Sequence, residues 1–150
     1  MAPKVTERLI IYTDGGARGN PGPAALGVHI TDTSGHVVKS YGETLGTKTN
    51  NEAEYMAVIS AMKKVKALLG KEKAKQIYLD IRADSELLVR QLNHEYKIEA
   101  ETVQPLFLQA WNLILDFAKV TFTHIPREKN RQADRMVNQA LDQESNKLFN

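Results

Sequence analysis

The apolar positions change period several times along the chain. Leu9-Ile10-Ile11-Tyr12-Thr13 is almost continuously apolar and stops at Asp14. Such a run predicts a central strand covered on both faces. A segment rich in Gly and Pro follows, Gly15–Pro23, and Ala25–Thr31 then reads as a second strand. Thr33-Ser34-Gly35-His36 predicts a turn and Val37–Leu45 a third strand. A connection that short implies antiparallel pairing.

Helical spacing takes over at Ala53, Ala57, Ala61, Val65 and Leu68, with Gly70 as the stop. Ile77–Ala83 alternates again and predicts a fourth strand, with Ile77, Leu79, Ile81 and Ala83 on one face. Ser85–Leu92 predicts a short helix. Val103, Leu106, Phe107, Ala110, Ile114 and Phe117 form the apolar stripe of a longer one, with Trp111 expected in the core. Lys119–Ile125 predicts a fifth strand and Arg131–Leu141 a final helix. The order β-β-β-α-β-α-α-β-α predicts an α/β fold with a mixed sheet. Strands reached by helical crossovers are expected to pair in parallel.

Composition removes several classes of function. The chain has 150 residues, which suits a single domain over 1–150, with a core at about 8–142 and short flexible ends. It has no cysteine, which excludes disulfides, thiolate nucleophiles and iron–sulfur clusters. No apolar run approaches the roughly 20 residues of a membrane span. Met1–Glu7 lacks the hydrophobic stretch of a signal peptide, so a cytoplasmic protein is expected. The net charge of +2 is too small to name a polyanionic partner.

Four acidic residues fall in unusual places. Asp14 ends an apolar strand, where it either caps the following turn or belongs to a site. Glu54 lies three residues after Asn51, the spacing of a capping box. It also heads the stripe 54, 58, 61/62 and 65, otherwise Val, Ala/Met and Val, where an unpaired charge is unfavourable. Glu52 points about 200° away, onto a more polar face. Asp84 suits a helix N-cap, and Asp134 a favourable first-turn charge. Two of the four end strands and two begin helices. If the parallel strands flank the first one, these ends converge. Four converging carboxylates repel unless cations hold them, and an all-oxygen donor set favours Mg²⁺ or Mn²⁺ over zinc.

The surrounding residues are more specific. Tyr12-Thr13-Asp14-Gly15-Gly16-Ala17-Arg18-Gly19-Asn20-Pro21-Gly22-Pro23-Ala24 resembles the opening motif of type 1 ribonuclease H. Thr49-Asn50-Asn51-Glu52-Ala53-Glu54-Tyr55 resembles that family's second motif, Ala83-Asp84-Ser85 its third, and Asn130-Arg131-Gln132-Ala133-Asp134 its fourth. The resemblance implies a ribonuclease H-like fold, a five-stranded mixed sheet with three antiparallel and two parallel strands flanked by helices. It implies a monomeric endonuclease with no obligatory protein partner that cuts the RNA strand of an RNA–DNA hybrid. Asp14, Glu54, Asp84 and Asp134 become the catalytic ligands of two Mg²⁺ ions, with Mn²⁺ as a substitute and Asp14 bridging. The expected products carry a 5′-phosphate and a 3′-hydroxyl. Gly15, Gly16, Ala17, Asn20, Asn50 and Asn51 are placed along the minor groove, Thr49 and Asn20 at a DNA phosphate, and Ser85 and Arg127 toward the substrate.

The chain also departs from that family. Glu86 stands where many members have Gln, and an ionised carboxylate cannot donate a hydrogen bond there. Gln91–Ala100 is short and not basic, in place of the basic, Trp-rich insertion of some members. The loop His124–Asn130 is also short, which keeps His124 on a strand. Weaker hybrid binding and lower processivity are expected than in members that have that insertion.

Overall fold

The computed structural model describes residues 7–149. Of the expected flexible ends, residues 1–6 and 150 lie outside the described residues, while Glu7 begins a strand and residues 143–149 continue the last helix. Five strands form one mixed sheet: β1 (Glu7–Ala17), β2 (Gly22–Asp32), β3 (Val37–Lys48), β4 (Ile77–Ala83) and β5 (Lys119–His124), in the order β3-β2-β1-β4-β5. β1, β2 and β3 pair antiparallel, while β1–β4 and β4–β5 pair in parallel. The helices are α1 (Asn50–Leu69), α2 (Lys71–Ala74), α3 (Glu86–Leu92), α4 (Gln104–Ile114) and α5 (Arg131–Phe149), with a 3₁₀ turn at Arg127–Lys129. No described helix is long and apolar enough to cross a membrane.

The two faces of β2 separate the helices. Leu26, Val28 and Ile30 lie in the main core with Tyr55, Val58 and Met62 of α1. Alternation turns Ala25 and Gly27 to the other face. There Ala25 packs with Val137 and Leu141 of α5, and a Cβ on Gly27 would lie 2.1 Å from the Ala133 carbonyl oxygen. So α5 rests on the bare backbone of β2. Gly15, on the α1 face, plays the same part. A Cβ there would lie 2.2 Å from the Ala53 carbonyl carbon. The small residues on these two strands bring both helices, and the side chains at their N-termini, close to the sheet.

Several expectations are corrected. β1 does not stop at Asp14. It continues through Ala17, with Gly15, Gly16 and Ala17 opposite Leu26, Ala25 and Ala24. What stops there is the parallel pairing, whose last pair is Thr13 with Ala83. Only β4 of the two later strands flanks β1, and β5 lies beyond it. Trp111 is 44% exposed, not core. It sits one residue past Ala110 and so turns about 100° off the stripe that packs inward. The stripe ends at Ile114, and Phe117 is buried in the turn before β5. α5 runs eight residues past Leu141, and its residues 142–147 are polar and exposed, with no apolar period to predict them.

Candidate active site

The parallel register makes the first half of the site. Thr13 and Ala83 are directly paired, so the next residue on each strand, Asp14 and Asp84, emerges side by side where the ladder ends. The close approach at Gly15 brings the start of α1 against the same point, and with it Glu54. Asp14, Glu54 and Asp84 each offer an oxygen within 4.8 Å of the others. Asp134 is exposed on the first turn of α5. It stands outside that tight group but lines the same cleft of 460 Å³.

Local chemistry explains why these carboxylates are free. The N-cap of α1 is Thr49, not Asn51. Thr49 Oγ1 accepts from the Glu52 amide at 3.1 Å, and Glu52 Oε1 accepts from the Thr49 amide at 3.0 Å. Glu52 is therefore the capping-box partner, and Glu54 is released from that duty. The N-cap of α3 is Ser85, whose Oγ accepts from the Leu88 amide at 3.2 Å, so Asp84 is released as well. Asp84 Oδ2 instead accepts from Asn130 Nδ2 at 3.2 Å.

The electrostatics fit a cation site. Burial, the charges of Asp84 and Asp134 push the Asp14 carboxyl up to about 7, against hydrogen bonds with Glu54 and the Gly15 amide. Burial, then the charges of Asp14 and Asp84, raises Glu54 well above the usual carboxylate range. No described lysine or arginine forms an ion pair with any of the three. Glu54 Oε2 is buried without a hydrogen-bond partner. Asp80 is the contrasting case on β4, a buried carboxylate that the sequence pattern did not single out. Burial raises it, but hydrogen bonds from Arg82 and Arg8, at 3.1 and 2.7 Å, outweigh that and hold it low. One buried carboxylate has arginines; the cluster has no ion-pair partner among the described residues. Oxygen-only donors of this kind fit a hard divalent cation.

The expected contact residues divide. Gly15, Gly16, Ala17, Asn50, Ser85 and Arg127 line the cleft. Asn20, Thr49 and Asn51 do not. Asn20 Oδ1 accepts from the Asn50 amide at 3.0 Å, and Asn50 Oδ1 accepts from the Ala17 amide at 2.8 Å. Ala17 N–H is thus already donated. Arg18 and Asn138 also line the cleft, and the sequence reading passed over both. Asn138 was findable, because it stands one helical turn after Asp134, and its Nδ2 donates to the Asp134 carbonyl at 3.1 Å. Arg18 reaches Asp142 on α5 at 2.6 Å. Glu86 is paired with Arg90 at 2.8 Å, and His124 is exposed at the end of β5.

Residues 12–140 match the family model described as reverse transcriptase-like. The chain is 36% identical to ribonuclease HI of Halobacterium salinarum over 90% of its own length and 65% of that protein's. A crystal structure of RNase H1 from the same archaeon superposes with a TM-score of 0.82, covering 91% of this chain and 98% of that one. The chain belongs to the type 1 ribonuclease H family of enzymes. A crystal structure of LC11-RNase H1 in complex with RNA/DNA hybrid matches this chain with a TM-score of 0.85 and 43% identity, over 90% of this chain and 97% of that one. The chain spans 65% of the Halobacterium relative and 36% of a bifunctional protein from Mycobacterium tuberculosis, to which it is 34% identical over 90% of its length.

Proposed function

We propose that this chain is a single ribonuclease H domain that hydrolyses the RNA strand of RNA–DNA hybrids as an endonuclease. It holds two Mg²⁺ ions, or Mn²⁺ in their place, at Asp14, Glu54 and Asp84, with Asp134 completing the site. The observation that carries this reading is a trio of carboxylates within 4.8 Å, with no ion pair to them among the described residues, lining a cleft. A binding module has no use for such a cluster, whose self-repulsion opposes folding. Divalent cations supply Lewis acidity there, lowering the barrier to attack of water on an anionic phosphodiester. The products are a 5′-phosphate and a 3′-hydroxyl.

The chain's own residues supply placement and selectivity. Asp14, Glu54 and Asp84, within 4.8 Å of one another, would hold the cations, and Asp14 would be the carboxylate common to both. Recognition of RNA requires contact with 2′-hydroxyls across a wide, shallow minor groove. Asn20 and Asn50 have their side-chain oxygens taken by backbone amides, which leaves their Nδ2 hydrogens as donors. Ser85 Oγ accepts from Leu88, and its proton stays available to the substrate. Gly16 lets the backbone approach the strand closely. Arg127 and Arg18, which both line the cleft, serve phosphates, which position a substrate without reading its sequence. The segment from Asn93 to Thr102 carries one lysine and three glutamates, so hybrid binding is weak.

The relative crystallised with an RNA/DNA hybrid makes that duplex the first substrate to test. Purified protein is given labelled hybrid, double-stranded RNA, double-stranded DNA and single-stranded RNA with Mg²⁺. The proposal requires cleavage of hybrid well above the other three. Equal cleavage of double-stranded RNA would remove hybrid specificity. The reading includes a cytoplasmic monomer, and sedimentation at the assay concentration checks the oligomeric state.

A further inference from the structure

We infer that Asn130 is a positioning residue that spaces the carboxylate cluster through one buried side-chain amide. The inference rests on the nuclease reading of that cluster. Asn130 is 1% exposed, and its Nδ2 donates to the Thr13 carbonyl at 2.9 Å and to Asp84 Oδ2 at 3.2 Å. Its own carbonyl accepts from the Asp134 amide at 3.1 Å. One residue therefore touches the position before Asp14, Asp84 itself, and the helical turn that carries Asp134.

The place of this contact matters. Thr13 and Ala83 are the last pair of the parallel ladder between β1 and β4. Beyond them the ladder no longer fixes the separation of the two strands, and that is where Asp14 and Asp84 stand. The Asn130 amide bridges the two strands at that point. Both of its Nδ2 partners are acceptors, so the amide has one orientation. That orientation leaves Oδ1 buried with no hydrogen-bond partner, which is unfavourable. An apolar side chain would avoid the orphan oxygen and lose only the bridge.

The charge of the group is equally telling. An aspartate here would set a further negative charge about one hydrogen bond from Asp84. A lysine would neutralise Asp84 and compete with a cation for it. A neutral donor fixes one oxygen of Asp84 and leaves its charge, and its other oxygen, to a metal. Partners that orient ligands in this way typically change metal affinity or activity by about 10–100-fold when removed.

The test compares wild type, Asn130→Ala and the near-isosteric Asn130→Asp. Four quantities are measured: kcat and KM on the hybrid, the Mg²⁺ concentration for half-maximal cleavage, and the Mg²⁺ midpoint of the rise in melting temperature without hybrid. The expected result is a kcat lowered about 10–100-fold, a Mg²⁺ midpoint raised about tenfold in both titrations, and an unchanged KM. Asn130→Asp should be worse than Asn130→Ala at neutral pH. A lowered melting temperature with wild-type kcat and Mg²⁺ midpoints would show a merely structural residue and overturn the inference. Failure of both variants to fold would overturn it too. If the wild type does not cut hybrid, the nuclease reading fails, while the hybrid-free Mg²⁺ midpoint still decides the role of Asn130.

Discussion

Thr49 and Glu52 close a reciprocal capping box at the start of α1, each side chain accepting from the other's backbone amide. The box consumes Glu52 and leaves Glu54, two residues on, buried among carboxylates with one oxygen unpartnered. Two neighbouring glutamates thus have separate duties. Glu54→Gln should lower hybrid cleavage by about a hundredfold or more, the scale on which catalytic groups act. Glu52→Gln keeps an acceptor in the box and should leave both cleavage and stability near wild type. Thr49→Ala should destabilise by about 1 kcal/mol while retaining cleavage. Steady-state cleavage and thermal melts of the three variants check this. An inactive Glu52→Gln with an active Glu54→Gln would reverse the assignment.

The raised Asp14 carboxyl makes stability depend on pH in a definite direction. Its value moves from 3.8 to about 7 on folding, so the folded state binds more protons than the unfolded chain between those limits. The group therefore favours folding fully below pH 3.8, and that contribution is lost as pH rises through about 7. In EDTA, the melting temperature of Asp14→Asn minus that of wild type should grow across this window and level off above it. Mg²⁺ should then stabilise wild type more than the variant, because only binding to the folded state counts. A variant that melts lower than wild type at pH 7 in EDTA would show Asp14 to be a structural residue of β1.

Gly15 and Gly16 are adjacent but predict different outcomes. A Cβ on Gly15 would collide with the backbone of Ala53, which cannot give way, whereas one on Gly16 would meet Val137 Cγ1 at 3.8 Å, an ordinary contact. Gly15→Ala should cost about 1–3 kcal/mol and displace α1 and Glu54 from Asp14, with loss of cleavage. Gly16→Ala should melt like wild type and raise KM for hybrid, since Gly16 lines the cleft. Denaturant titration with steady-state kinetics separates the two.

Hybrid binding should weaken only gently with salt. Of the three lysines of α1, Lys66 pairs with Asp116 at 2.9 Å and Lys64 lies over the Tyr41 ring at 5.0 Å, which leaves Lys63 exposed. With about −0.9 in the slope of log K against log salt per phosphate contact, a few contacts give a shallow line. Fluorescence anisotropy across a salt series, in Ca²⁺ to hold back cleavage, measures it. A steep line would point to a basic surface elsewhere.

The sheet and the four carboxylates were legible because their signals are local: alternation, helical period, and acidic residues at element ends. What the sequence concealed depends on neighbours. Asp14 looks like the end of a strand, yet β1 runs on, since pairing with β2 needs only backbone and small residues. Asn51 and Glu54 have capping spacing, but so do Thr49 and Glu52, and only the geometry chooses between them. Asp80 reads as an ordinary charge on the polar side of β4. Arg8, 72 residues away in sequence, is what allows its burial. Trp111 borders the apolar stripe of α4 without joining it, a difference of one residue in angular position.

The account is tested most directly by an RNA–DNA hybrid carrying different labels on its two strands, incubated with the protein in Mg²⁺ or in EDTA. The predicted result is internal cleavage of the RNA strand in Mg²⁺, an intact DNA strand, no cleavage in EDTA, and none by Asp14→Asn in either condition. Cleavage that persists in EDTA or in Asp14→Asn, or an RNA strand left whole in both Mg²⁺ and Mn²⁺, would contradict the account.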